Sequence, residues 1–124
     1  MSNTVLIVDD ADFMRVMLKD ILTEIGLQIV GEASDGAQAI SLYDELQPDL
    51  VIMDIMMPEM DGITALKKIL SKDPEAVVVM ITALGQKDKV LESIQAGARD
   101  FVVKPFDQDR VQATIKELME KTKV

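Results

Sequence analysis

The chain of 124 residues contains no cysteine and no histidine. Those two absences remove disulfides, thiol nucleophiles, Cys/His zinc sites, Ser-His-Asp triads and any mechanism that uses an imidazole as acid or base. Tryptophan is also missing, and with one Tyr and three Phe only 3% of the chain is aromatic. Platforms on which nucleic-acid bases could stack therefore have little to be built from. Positive charge is scarce: 13 Lys and Arg stand against 22 Asp and Glu, for a net charge of −9. Phosphate backbones repel such a chain, so direct nucleic-acid contact is not expected. Cations, basic protein surfaces and ligands that arrive with a metal are the expected partners. The longest apolar stretch covers 76–81, with Ala83 and Leu84 beyond Thr82, far short of the roughly 20 residues that span a bilayer. Met1-Ser2-Asn3-Thr4 carries no positively charged side chain, and the apolar run that follows stops at Asp9. This is unlike a secretory leader, so a cytoplasmic location without membrane insertion is expected.

What is present is globular: 48% hydrophobic and 28% charged residues, in one expected domain over 1–124 with no linker, repeat or low-complexity tract. Short runs rich in Val and Ile, at 4–8, 28–33, 49–53, 76–81 and 100–103, mostly lack strict alternation. They predict strands covered on both faces. Between them lie helical patterns at 12–25, 37–46, 62–70, 87–96 and 108–121. In the first, Met14, Met17, Leu18, Ile21, Leu22 and Ile25 fall on one stripe while Arg15, Lys19 and Glu24 face away. Gly26 and Gly97 stop two of the helices, and Asp61-Gly62 marks the turn before a third. Five strands alternating with five helices predict an α/β fold with a parallel sheet between helical layers. Right-handed crossovers then set the carboxyl ends of all strands along one edge.

Polar residues cluster where the runs stop. Asp9 and Asp10 follow Val8, Asp54 follows Met53, Thr82 follows Ile81, and Lys104 follows Val103. Each has an ordinary reading as a helix cap, a turn residue or a solvated charge. Together they are harder to dismiss, because ligands of open parallel sheets bind outside the carboxyl ends of the strands. Three carboxylates in one crevice repel unless a cation sits among them. An all-oxygen site with few protein ligands suits Mg²⁺ shared with a phosphate. Lys104 can neutralise a second anion and Thr82 can donate a hydrogen bond to it. The chemistry that fits is in-line phosphoryl transfer to one Asp, with metal and Lys holding the equatorial oxygens.

Val8-Asp9-Asp10, Met53-Asp54-Ile55-Met56-Met57-Pro58, Ile81-Thr82-Ala83 and Val102-Val103-Lys104-Pro105-Phe106 together resemble the motifs of two-component response-regulator receiver domains. The resemblance covers essentially the whole chain. It implies a flavodoxin-like (βα)5 doubly wound fold with strand order 2-1-3-4-5. It makes Asp54 the phosphoacceptor, with Mg²⁺ held by Asp10, Asp54 and the backbone carbonyl of Met56, and Asp9 assisting through water. Thr82 becomes the switch hydroxyl, Lys104 the phosphate-binding cation and Phe101 the rotating aromatic, where the family often has Tyr. The Lys104-Pro105 peptide is expected to be cis on the same ground. Asp12-Phe13-Met14-Arg15, 58–63 and 96–101 are similar to single-domain chemotaxis regulators, more to those of Gram-positive and related bacteria than to the enterobacterial form. Met56 and Leu84 depart from that pattern. Neither side chain can orient a water opposite Asp54, so a long-lived aspartyl-phosphate is expected.

The function that follows is a phosphorylation switch rather than an enzyme. A sensor histidine kinase, of the chemotaxis type, donates to Asp54, and the altered surface of a monomer binds the flagellar motor switch; a phosphatase is a further expected partner. With no output segment after the last helix, binding itself is the expected output. Two alternatives remain: a receiver excised from a larger DNA-binding regulator or acting as a phosphorelay intermediate, and a Mg²⁺-dependent phosphatase of the aspartyl-phosphate type. The latter needs a second acid two residues after the nucleophile, where this chain has Met56.

Overall fold

The computed structural model describes residues 3–122; residues 1–2 and 123–124, on which the expectations about a leader and an output segment partly rest, lie outside. Ten elements alternate along the chain: β1 (Thr4–Val8), α1 (Asp12–Glu24), β2 (Gln28–Ala33), α2 (Gly36–Leu46), β3 (Leu50–Asp54), α3 (Gly62–Lys72), β4 (Val78–Ala83), α4 (Lys87–Ala96), β5 (Asp100–Lys104) and α5 (Gln108–Thr122). All strand pairs are parallel, in the order β2-β1-β3-β4-β5. This is the expected flavodoxin-like fold, and its order reverses between β1 and β3. Among the described residues no helix is long and apolar enough to cross a membrane.

The pleat sends alternate side chains to opposite faces, and each face has its own core. Leu6, Val8, Val51, Met53, Val78 and Met80 pack with Ala39 and Tyr43 of α2 and Ile63, Leu66 and Ile69 of α3. Val5, Ile7, Ile52, Val79, Ile81 and Val102 pack with Leu18, Ile21 and Leu22 of α1 and Val111, Ile115 and Leu118 of α5. Burial on both faces is why the central runs are apolar at every position rather than at every second one. The edge strands differ: β2 exposes Gln28 and Glu32, and β5 exposes Phe101.

Three expectations shift. The third and fourth strands run further than the apolar runs that announced them. Asp54 pairs in register with Ile81, Thr82 with Val103 and Ala83 with Lys104. Asp54, Thr82 and Lys104 are therefore rungs of the ladder rather than residues beyond it, whereas Asp9 and Asp10 follow the end of β1. At its other end the fourth run starts too early. Ala76 is buried, but its N–H donates to the Asp73 carbonyl in the turn before β4. It is apolar because it packs, not because it pairs. In α1, Met17 is exposed, since at about 100° per residue it lies some 85° from the centre of the stripe that Met14, Leu18, Ile21, Leu22 and Ile25 define. Arg15 sits at the opposite margin and is half-buried rather than turned away.

Candidate functional site

At the carboxyl edge of the sheet, Asp9, Asp10 and Asp54 offer carboxylate oxygens that all lie within 4.8 Å of one another. Asp9 and Asp54 flank the point where the strand order reverses, the position at which α/β sheets bind ligands. Asp9 is wholly buried and Asp54 nearly so, whereas Asp10 is exposed. Local hydrogen bonding fixes both buried acids. The Asp9 N–H donates to the Ala33 carbonyl at 3.0 Å, its Oδ1 accepts from the Ala11 N–H at 2.9 Å, and its carbonyl accepts from the Arg15 guanidinium. Asp9 thus closes the turn into α1 without being the residue that caps it, which is Ala11. Asp54 Oδ1 accepts from the Met56 N–H at 3.3 Å.

The loop after Asp54 turns back on itself. The Gly62 N–H donates to the Ile55 carbonyl at 2.7 Å. A Cβ at Gly62 would lie 2.1 Å from the Asp54 carbonyl oxygen, so only glycine lets α3 begin against the backbone of the acid. Asp61 caps that helix, accepting from the Thr64 N–H at 2.8 Å.

Lys104 enters from β5, two strands away. Its Nζ lies 3.0 Å from Asp54 Oδ2 and 3.4 Å from Asp9 Oδ2. Burial raises the Asp54 carboxyl above its ordinary range; the hydrogen bond from Lys104 opposes this, and the charge of Asp9 adds to it. Burial works against the Lys104 ammonium, but its hydrogen bond to Asp54 and the charges of Asp54 and Asp9 outweigh it and hold the pKa up. One ammonium thus serves two buried carboxylates and a third exposed beside them. That is a deficit of positive charge in an all-oxygen pocket, and the donor set fits a hard divalent cation such as Mg²⁺.

The remaining predicted residues lie on β4 and β5 and in the loops after β3 and β4. The Thr82 side chain is buried, and its hydroxyl donates to Gln86 Oε1 at 3.1 Å. Phe101, opposite Met80 on β5, is 38% exposed. Both residues line a shallow cavity of about 220 Å³ with Leu84, Gln86, Val90 and Val103. Met56 reaches Asp54 through its N–H; its side chain is 55% exposed, and that of Leu84 is 76% exposed. These two side chains stand in solvent rather than being packed into the site. The Lys104-Pro105 peptide is cis. Two participants escaped sequence reading. Arg15 has the spacing of a solvent-facing charge, and Gln86 sits four residues after Thr82 in a loop whose path no sequence periodicity sets.

The receiver-domain model of response regulators matches residues 5–116. Among curated proteins, the chain is 56% identical over 119 residues to the chemotaxis protein CheY of Bacillus subtilis, covering 96% of this chain and 99% of that protein. It is 55% identical over 111 residues to CheY of Thermotoga maritima, covering 90% and 92%. Among solved structures it superposes with a TM-score of 0.90 and 40% identity on a chain of the CheX–CheY–BeF3–Mg complex from Borrelia burgdorferi, covering 94% of this chain and 88% of that one. With its strand order, its acidic cluster and its matched length in agreement, the chain belongs to the response-regulator receiver domain family and is CheY-like.

Proposed function

We propose that the protein is a phosphorylation switch of two-component signalling, in which Asp54 accepts a phosphoryl group from the phosphohistidine of a sensor kinase. The observation that carries this reading is the convergence of Asp9, Asp10, Asp54 and Lys104 at the topological switch point. An Asp54 oxygen attacks phosphorus in line, the P–N bond to the kinase histidine breaks, and its electron pair leaves with the imidazole. Asp10, Asp54 and the Met56 carbonyl would hold Mg²⁺, with Asp9 assisting through water, and the ion would supply positive charge to offset that on the transferring phosphoryl oxygens. Lys104 supplies the second cation. Thr82 moves inward to donate a charge-assisted hydrogen bond to the phosphoryl group, and Phe101 turns into the space vacated.

Similarity to CheY proteins supports chemotaxis as the pathway and the flagellar motor switch as the target. The Borrelia burgdorferi complex makes a CheX-type protein a further candidate partner. A receiver excised from a larger regulator is the second reading; the CheY proteins of Bacillus subtilis and Thermotoga maritima are matched over 99% and 92% of their own length. The phosphatase reading fails on chemistry: the position two after Asp54 is a methionine with no proton to give. The test is phosphotransfer from the purified chemotaxis kinase, followed by binding to the motor switch protein of the same organism. The parent should drain the kinase and then bind its target. Thr82→Ala should drain the kinase but bind weakly, and target binding undiminished in that variant would move the switch elsewhere.

A further inference from the structure

We infer that Gln86 is a positioning residue that latches the switch hydroxyl of Thr82 in the unphosphorylated state and so sets the threshold for activation. This rests on the reading of Thr82 as the switch. Gln86 precedes α4 at the N-cap position, yet its side chain makes no capping bond to the helix. It reaches back to the end of β4 instead. Its Oε1 accepts two hydrogen bonds, from Thr82 Oγ1 at 3.1 Å and from the Ala83 N–H at 3.0 Å. A carbonyl oxygen has two lone pairs, so both are used.

A threonine hydroxyl has one proton to donate. While Gln86 Oε1 receives it, a phosphoryl oxygen on Asp54 cannot. The Thr82 side chain is buried, so water is a poor substitute for the amide. The alternative acceptor within reach, the Ala83 carbonyl, is longer at 3.4 Å. Inward movement of Thr82 therefore breaks a part-buried hydrogen bond before a new one forms. The Gln86 backbone is anchored from the other side, its carbonyl accepting from the N–H groups of Lys89 and Val90 at 3.0 Å each. The latch is thus fixed to α4, and it sits in the segment 83–86 that lines the cavity beside Phe101. Gln86 touches no reacting atom; it acts through Thr82.

A hydrogen bond present in the resting state and absent in the active one must be lost on activation. Its removal should tighten binding of a phosphoryl mimic by the corresponding factor, about 2- to 10-fold for one neutral hydrogen bond. The experiment is titration of the apo protein with beryllofluoride and Mg²⁺, followed by NMR of the Phe101 resonances. Gln86→Ala should lower the apparent Kd by that factor. Gln86→Glu keeps both acceptor positions and makes them stronger, so it should raise the Kd. In a Thr82→Ala background, Gln86→Ala should change nothing, which separates a latch from general loosening of the loop. An unchanged or weaker Kd for Gln86→Ala, or an equal gain in the Thr82→Ala background, would overturn the latch alone. If the parent fails to bind the mimic, or Asp54→Asn binds it equally well, the reading of the site itself falls, and the latch with it.

Discussion

On the proposal that Asp54 is phosphorylated, Met56 and Leu84, which depart from the polar residues of related regulators, bear on how long the phosphoryl group survives. Hydrolysis needs a water aligned opposite the Asp54 oxygen, and a polar side chain nearby can orient it. Both apolar side chains stand largely in solvent, so they withhold an orienting contact rather than block the path. Met56→Asn combined with Leu84→Glu should accelerate loss of phosphate in Mg²⁺ without a phosphatase, by no more than about 10²-fold per group. Equal first-order rates would show that orientation at these two positions is immaterial. At this scale the sequence was informative about the acids and the lysine, because ionised groups directly after apolar runs have few structural reasons to be there. It was silent about Gln86 and misplaced Arg15 on the solvent face. Glutamine in a loop and arginine on a helix are ordinary surface residues, and their partners, Thr82 and the Asp9 carbonyl, depend on loop geometry that periodicity does not encode.

The edge strand β2 is tied to α1 by charge. Glu32 accepts from Lys19 Nζ at 2.9 Å and from Arg15 Nε at 3.1 Å. The hydrogen bond from Lys19 is the largest influence on its carboxyl; with Arg15 it outweighs the opposing effect of burial and holds the group below its ordinary value. A carboxylate whose folded pKa is lowered stabilises the fold above its unfolded pKa, and that contribution is lost as pH falls through the folded value. Glu32→Gln should therefore be less stable than the parent at pH 7, by under about 1 kcal/mol because the pair is partly solvated. Urea denaturation should show the two converging as the pH is taken below 4.5 towards the folded value; a gap that persists there would assign the loss to packing instead. Element types and order were legible because buried parallel strands and amphipathic helices have different periods. Strand ends were not, because hydrogen-bonded pairing continues through Asp54, Thr82 and Lys104 regardless of side-chain polarity.

For the molecule as a whole, the sheet edge concentrates what a chain of net charge −9 has in excess. Asp9, Asp10 and Asp54 converge against one ammonium, so the site opposes the fold that builds it until a cation enters. Burial together with Asp9 holds the Asp54 carboxyl above its ordinary range, which makes its ionised form a cost to the folded state at neutral pH. Asp54→Asn should raise Tm in the absence of divalent ions, on the order of 4 °C per kcal/mol relieved. The parent, not the variant, should gain most on adding Mg²⁺, by about 2.7 kcal/mol at 100 times the Kd. A lower Tm for the variant without metal would mean that the Asp54–Lys104 pair is a net stabiliser.

Phosphorylation of one carboxylate is the claim on which all else rests, and it can be measured without knowing the kinase. Intact-mass spectrometry of the parent treated with acetyl phosphate and Mg²⁺ should show one added phosphoryl group, which does not form when EDTA is present throughout and is absent from Asp54→Asn. Incorporation into Asp54→Asn as readily as into the parent would remove Asp54 from the centre of the switch.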